Sequence, residues 1–209
     1  GLTEFQPMST LLEILPFTTR PALHGGSETP YQPTQIGHHI YRIDEDHTDI
    51  DELDLIILGC GEYRGQHPSL PYSEGPDLIR AELYKLYYWH QGVRIGDPGN
   101  IARGSSLSDT RAALRTVLGE LHHLGKRVLL LGGSHDLTLQ QYQVFRDGDE
   151  IIDFTVIEML ADLDDTTGER YDNHLMEALT GTPNFVRHFN LMGFQSYYVN
   201  PHLIETFDR

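Results

Sequence analysis

Val128-Leu129-Leu130-Leu131-Gly132-Gly133-Ser134-His135-Asp136 is the stretch whose reading decides the fold. Four apolar residues in succession predict a strand buried on both faces, and two glycines let the backbone leave it in a tight turn. The turn brings His135 to the carboxyl edge of a sheet, where an imidazole can bind a divalent metal. Asp136 falls at the start of the next helix, as an N-cap or a partner of the helix dipole.

Elements of alternating type flank this turn. On the amino side, Leu55-Ile56-Ile57-Leu58 predicts a buried strand. A helix follows over 77–90, with Ile79, Leu83 and Leu86 as its inner stripe. A short strand over 93–95 ends at Asp97-Pro98-Gly99-Asn100. Ser106 or Ser108 caps a helix whose Leu114, Val117, Leu118, Leu121 and Leu124 form one apolar stripe, closed by Gly125. On the carboxyl side come a helix over 137–145, a strand over 154–160, a short helix over 173–179, a strand over 190–194 and a helix from about Pro201. Apolar strands between amphipathic helices predict a three-layer α/β/α fold with a mainly parallel sheet of about five strands. Ligands of such sheets bind beyond the strands' carboxyl ends.

Residues 1–53 read differently. Ser9 or Thr10 caps a short helix through Leu15, and a Pro- and Gly-rich stretch then predicts an extended arm. The domain proper spans 54–209. Tyr84, Tyr87, Tyr88 and Trp89 at a helix end are expected to pack against the arm.

Composition narrows the function. The 209 residues carry a formal charge of −16, which argues against nucleic acid or an anionic membrane surface as partner. The single cysteine, Cys60, precludes an internal disulfide and fits a reducing, cytoplasmic setting. No apolar run reaches the roughly 20 residues of a bilayer span.

Several motifs have plain structural readings. Gly59-Cys60-Gly61-Glu62-Tyr63-Arg64-Gly65 has Arg64 at the third glycine position of a dinucleotide fingerprint and an anion where pyrophosphate would sit, so it reads as a turn. Asp49, Asp51 and Asp54 precede a strand, away from the expected cleft, and read as a solvated acidic turn. His38-His39 and His122-His123 are adjacent pairs whose members diverge in regular structure, and the second pair is solvated. Asp162 and Asp164 differ. Carboxylates at i and i+2 in extended chain share a face, and with His135 they suit Mn²⁺ or Mg²⁺.

The glycine turn with His135, Gly75-Pro76-Asp77-Leu78-Ile79-Arg80 opening a helix, Asp97-Pro98-Gly99-Asn100, and Gly193-Phe194-Gln195-Ser196-Tyr197-Tyr198 together resemble the arginase, agmatinase and formiminoglutamase superfamily, the ureohydrolases, from about Asp54 onward. The resemblance is to divergent formiminoglutamase-like members. It implies a three-layer fold and hydrolysis of a C–N bond in a linear amidine, such as formiminoglutamate, arginine or agmatine, by a hydroxide bridging two Mn²⁺ ions.

By the resemblance His135, Asp162 and Asp164 are metal ligands, and His174 loosely matches a proton-shuttling histidine with spacing off by one. The family's Asp-Ala-His-x-Asp motif aligns with Leu160-Ala161-Asp162-Leu163-Asp164, so leucine replaces the bridging aspartate. A later ligand motif would lie beyond Arg209, which implies an amino-terminal portion of the fold with an open sheet edge and a tendency to self-associate. Two functions stay open: a metal-dependent amidine hydrolase with a rearranged site, and a catalytically inactive member serving as a binding or scaffolding module.

Overall fold

The computed structural model describes residues 15–19, 30–46, 49–159, 178–202 and 205. The chain divides into two compact units, Gly1–Tyr63 with Pro71–Gly133, and Arg64–Leu70 with Ser134–Arg209. The fold is α/β with a mainly parallel sheet, as the alternating pattern predicts.

The first unit is built on β3 (Leu55–Cys60), β4 (Ile95–Ile101) and β5 (Arg127–Gly132), in the order β4-β3-β5 and all parallel. Ile56, Ile57, Leu58 and Cys60 of the central strand are at most 1% exposed, which is why this run carries no polar side chain. Two pieces of the amino-terminal arm complete the sheet. β1 (Thr18–Thr19) pairs antiparallel with the carboxyl half of β4, and β2 (Tyr41–Arg42) pairs parallel with its amino half. Together they cover the backbone groups of an edge strand that would otherwise invite another chain.

Asp97-Pro98-Gly99-Asn100 does not end a strand but lies inside β4. The register against β3 slips here, Ile56 facing Gly96 and Leu58 facing Gly99. Pro98 has no N–H to give the ladder, and Gly99 takes φ +91°, so the strand bulges instead of stopping.

The helix α1 (Gly75–Leu83) is shorter than its periodicity suggests and buries a different face. Ile79 and Leu86 are exposed, whereas Pro76, Arg80 and, just past the helix, Tyr84 face inward. The arm takes over where the helix stops, Gly37 N–H donating to the Tyr84 carbonyl at 3.0 Å and Ile36 N–H to that of Leu86 at 2.8 Å. The inward Arg80 answers a buried acid. Its Nε and Nη2 donate to Asp97 at 2.8 and 3.1 Å, and Nη2 also reaches the Gly99 carbonyl at 2.9 Å. Asn100 Oδ1 accepts from Nη1, and the Tyr84 hydroxyl donates to Asp97. Burial and the Asp97 charge push the Tyr84 phenol well above its ordinary range.

The helix α2 (Leu107–His123) starts with a capping box: Asp109 N–H donates to Ser106 Oγ at 3.1 Å, and Ser106 N–H to Asp109 Oδ2 at 2.8 Å. Leu114, Val117, Leu118 and Leu121 form its buried stripe, as read from the spacing.

The second unit carries α3 (Leu137–Asp147) and a two-stranded parallel sheet of β6 (Ile152–Ile157) and β7 (Val186–Met192). The five strands anticipated from sequence are all present, three in the first sheet and two here. Both new strands alternate in burial. Phe154, Val156, Phe189 and Leu191 gather around Val199, while Asp153 and Arg187 face out and pair at 2.7 Å. Leu139 and Tyr142 of α3 pack with Ala178, Ile152 and Phe185. Residues 178–180, 201 and 202 are helical; the rest of the helix expected over 173–179 lies outside the described residues, as does the helix capped at Ser9 or Thr10. Among the described residues no helix is long and apolar enough to cross a membrane.

Candidate functional site

The glycine turn after β5 does what its residues require. Gly133 takes φ +81°, a conformation that any side chain would strain, and the chain then enters α3. Asp136 occupies the N-cap position of α3 without capping it. Its carboxylate, in a residue only 3% exposed, instead accepts the Ser134 hydroxyl. It also sits against Gly65, where a β-carbon would come within 2.2 Å of Asp136 Oδ2. The last glycine of the 59–65 run therefore makes room for an acid. Glu62 of the same run is fully buried, which agrees with a structural turn and not a phosphate cradle.

His135 is left as the exposed member of the turn, 57% accessible at its side chain. Its Nδ1 lies 3.2 Å from Glu158 Oε1, whose side chain is 19% exposed. Glu158 is the first residue past β6, because that strand closes at Ile157 and does not continue to 160. The sequence reading carried the strand through Glu158 and so passed over it. The available signal was an acid directly after the run Phe154-Thr155-Val156-Ile157, in the position where a parallel strand presents its ligands.

The other expected ligands, Asp162 and Asp164, lie outside the described residues, as do Leu160 and His174. Among the described residues no group of three or more His, Cys, Asp or Glu side chains could hold a metal ion. Asp49, Asp51 and Asp54 remain a solvated turn: Asp49 receives the Asp51 N–H at 3.3 Å, and Asp54 Oδ2 the Arg94 N–H at 2.8 Å.

The His135–Glu158 pair suits half of a hard-cation site. Two donors each about 2.1–2.3 Å from one ion at right angles stand roughly 3.0–3.3 Å apart. The nitrogen and oxygen here are 3.2 Å apart, and the His135 side chain is 57% exposed. The mixed N,O donor pair suits manganese better than a thiophilic metal.

No protein-family model matches the sequence. Formimidoylglutamase of Streptococcus gordonii is 29% identical over 99 residues, covering 44% of this chain and 30% of that protein. Formimidoylglutamase of Bacillus subtilis superposes with a TM-score of 0.67 at 16% identity, over 94% of this chain and 63% of that one. Trypanosoma cruzi formiminoglutamase with Mn²⁺ gives 0.64 at 14% identity, over 77% and 59%. The chain is similar in sequence to a formimidoylglutamase and shares its fold with solved members of the arginase, or ureohydrolase, superfamily. It spans about a third of the curated relative it matches, and its likeness to the solved ureohydrolases establishes the fold.

Proposed function

We propose that the protein is a ureohydrolase-like binder of a divalent cation, with Mn²⁺ the favoured ion, and that it acts on the C–N bond of a small linear amidine of the formiminoglutamate, arginine or agmatine type. The observation that carries this reading is the His135–Glu158 pair, two donors at cis-ligand separation beside the glycine turn. His135, Glu158, Asp162 and Asp164 would hold the ion, the last two from the segment that follows Glu158. When bound, such an ion supplies Lewis acidity and lowers the pKa of water. The chain's own part is to hold the imidazole and carboxylate in register, with the buried Ser134–Asp136 contact fixing the turn that carries His135. His174 is a candidate proton carrier. The buried Cys60 accords with a reducing cytoplasm, and an assembly of several copies accords with the family.

A second reading, a fold kept for binding or scaffolding, is favoured by Leu160. Leucine cannot bridge two cations, and a shared hydroxide needs that bridge.

Calorimetric titration of Mn²⁺ into the protein and into His135→Ala and Glu158→Gln variants tests the first reading. Saturable binding that both substitutions weaken by tenfold or more supports it. No binding to any of the three removes the metal and leaves the scaffold. Turnover of formiminoglutamate, arginine and agmatine then separates hydrolase from metal-binding module.

A further inference from the structure

Around Tyr88 in the first unit lies a feature that neither the core nor the metal site uses. Residues 34–37 run against 84–88 as a short laced pair: Tyr88 N–H donates to the Thr34 carbonyl at 2.8 Å, and Gln35 Nε2 to the Lys85 carbonyl at 2.9 Å. His39 is held by the Pro33 carbonyl at 2.6 Å from Nε2 and stacks on Tyr88, with ring centroids 4.7 Å apart. The Tyr88 hydroxyl is tied to the Val93 carbonyl. These contacts fix the walls of two adjoining hollows of about 630 and 600 Å³ that share His39, Tyr88 and Gln91. Tyr41 and Arg94 line the first, and Pro33, Tyr87 and Trp89 the second.

The aromatic side chains here are not core residues. Tyr84 packs against Tyr31 of the arm, as the sequence suggests, but Tyr41, Tyr87 and Trp89 are 54, 62 and 84% exposed. A contiguous aromatic patch of this kind marks an interaction surface, whereas single exposed apolar residues do not. The Tyr87 hydroxyl, the Trp89 indole N–H and the Gln91 amide have no partner among the described residues, so the patch also presents unspent hydrogen-bond donors. Beyond Arg94 the surface is acidic. Glu52 pairs with Arg94, Asp54 takes its backbone N–H, and Asp49 and Asp51 are exposed beside them, in a chain of net charge −16.

We propose that this groove binds a proline-rich segment of a partner protein, with basic residues flanking the prolines. A polyproline II strand makes no internal hydrogen bonds, so its carbonyls need donors, and its rings lie flat between aromatic ridges at little entropic cost. The acid-rich 49–54 turn receives the flanking basic residues, which gives that motif a role that metal binding did not.

Trp89 is the chain's single tryptophan, so its emission reports on the groove alone. The probe is a synthetic peptide with a Pro-Pro-Leu-Pro core followed by two arginines. A saturable blue shift of Trp89 emission is expected, weakened about tenfold by Tyr87→Ala or Gln91→Ala while the thermal midpoint stays put, and weakened again when glutamates replace the arginines. The proposal is overturned by no saturable shift, or by an equal shift from a peptide with alanine at every proline. It is also overturned if Trp89 shifts with protein concentration alone while sedimentation shows a dimer, since a second copy would then be the occupant.

Discussion

Replacing Arg80 with methionine isolates the interaction that sets the direction of α1. Arg80 is 2% exposed and Asp97 fully buried, so removing the guanidinium leaves a carboxylate in the interior with only the Tyr84 hydroxyl and the Gly99 N–H, at 2.8 Å, to answer it. Breaking a buried ion pair from one side costs about 3–5 kcal/mol. In a domain of this size that corresponds to a fall of roughly 6–20 °C in the thermal midpoint, at about 2–4 °C per kcal/mol. Asp97→Leu should also destabilise, though by less, because Arg80 keeps the Asp77 carboxylate at 3.0 Å and the Gly99 carbonyl at 2.9 Å. The double variant Arg80→Met with Asp97→Leu should lose at least about 2 kcal/mol less than the two single losses added together, since neither charge is then buried alone. Urea unfolding followed by circular dichroism measures all three. An Arg80→Met variant within 1 kcal/mol of the parent, or a strictly additive cycle, would refute the claim that the pair holds the helix to the sheet.

Other expectations rest on separate contacts. Ser106→Ala removes one arm of the capping box and should lower unfolding stability by about 1 kcal/mol, read from the urea midpoint. Gly65→Ala drives a β-carbon to within 2.2 Å of the buried Asp136 carboxylate and should cost about 1–3 kcal/mol, whereas Gly119→Ala, whose β-carbon meets nothing within 4 Å, should not destabilise. Burial, aided by the nearby Cys60 and Glu62, pushes the Tyr72 phenol from 10.0 up to about 12. Its neutral form is favoured in the fold, so its contribution is intact below pH 10 and is lost as pH rises toward 12. Parallel urea series should show Tyr72→Phe flattening that alkaline decline by up to about 1.4 kcal/mol per pH unit.

Much of the architecture was legible because it depends on local physics. Continuous apolar runs gave the strands at 55–60 and 127–132, though only the first is buried, from Ile56 onward, and Leu129 of the second is 41% exposed; the 3.6-residue stripe gave α2, and Ser106 gave its start. The candidate site was half legible. His135 announces itself by following two glycines, but Glu158 became visible only when β6 was seen to close at Ile157. A strand's last residue depends on which partner carbonyls remain to be paired, and Ile157 is matched to Met192, a residue far along the chain.

What the sequence determined by itself is the class of fold and the turn that carries His135, since both follow from residues adjacent in the chain. The tertiary structure alone decided which face of α1 turns inward, that β4 runs through Pro98 by a bulge, and that Glu158 meets His135. Periodicity weighs residues by their apolarity, and it reads Arg80 as a surface residue; only the presence of Asp97 across the packing makes burial of that charge the lower-energy choice.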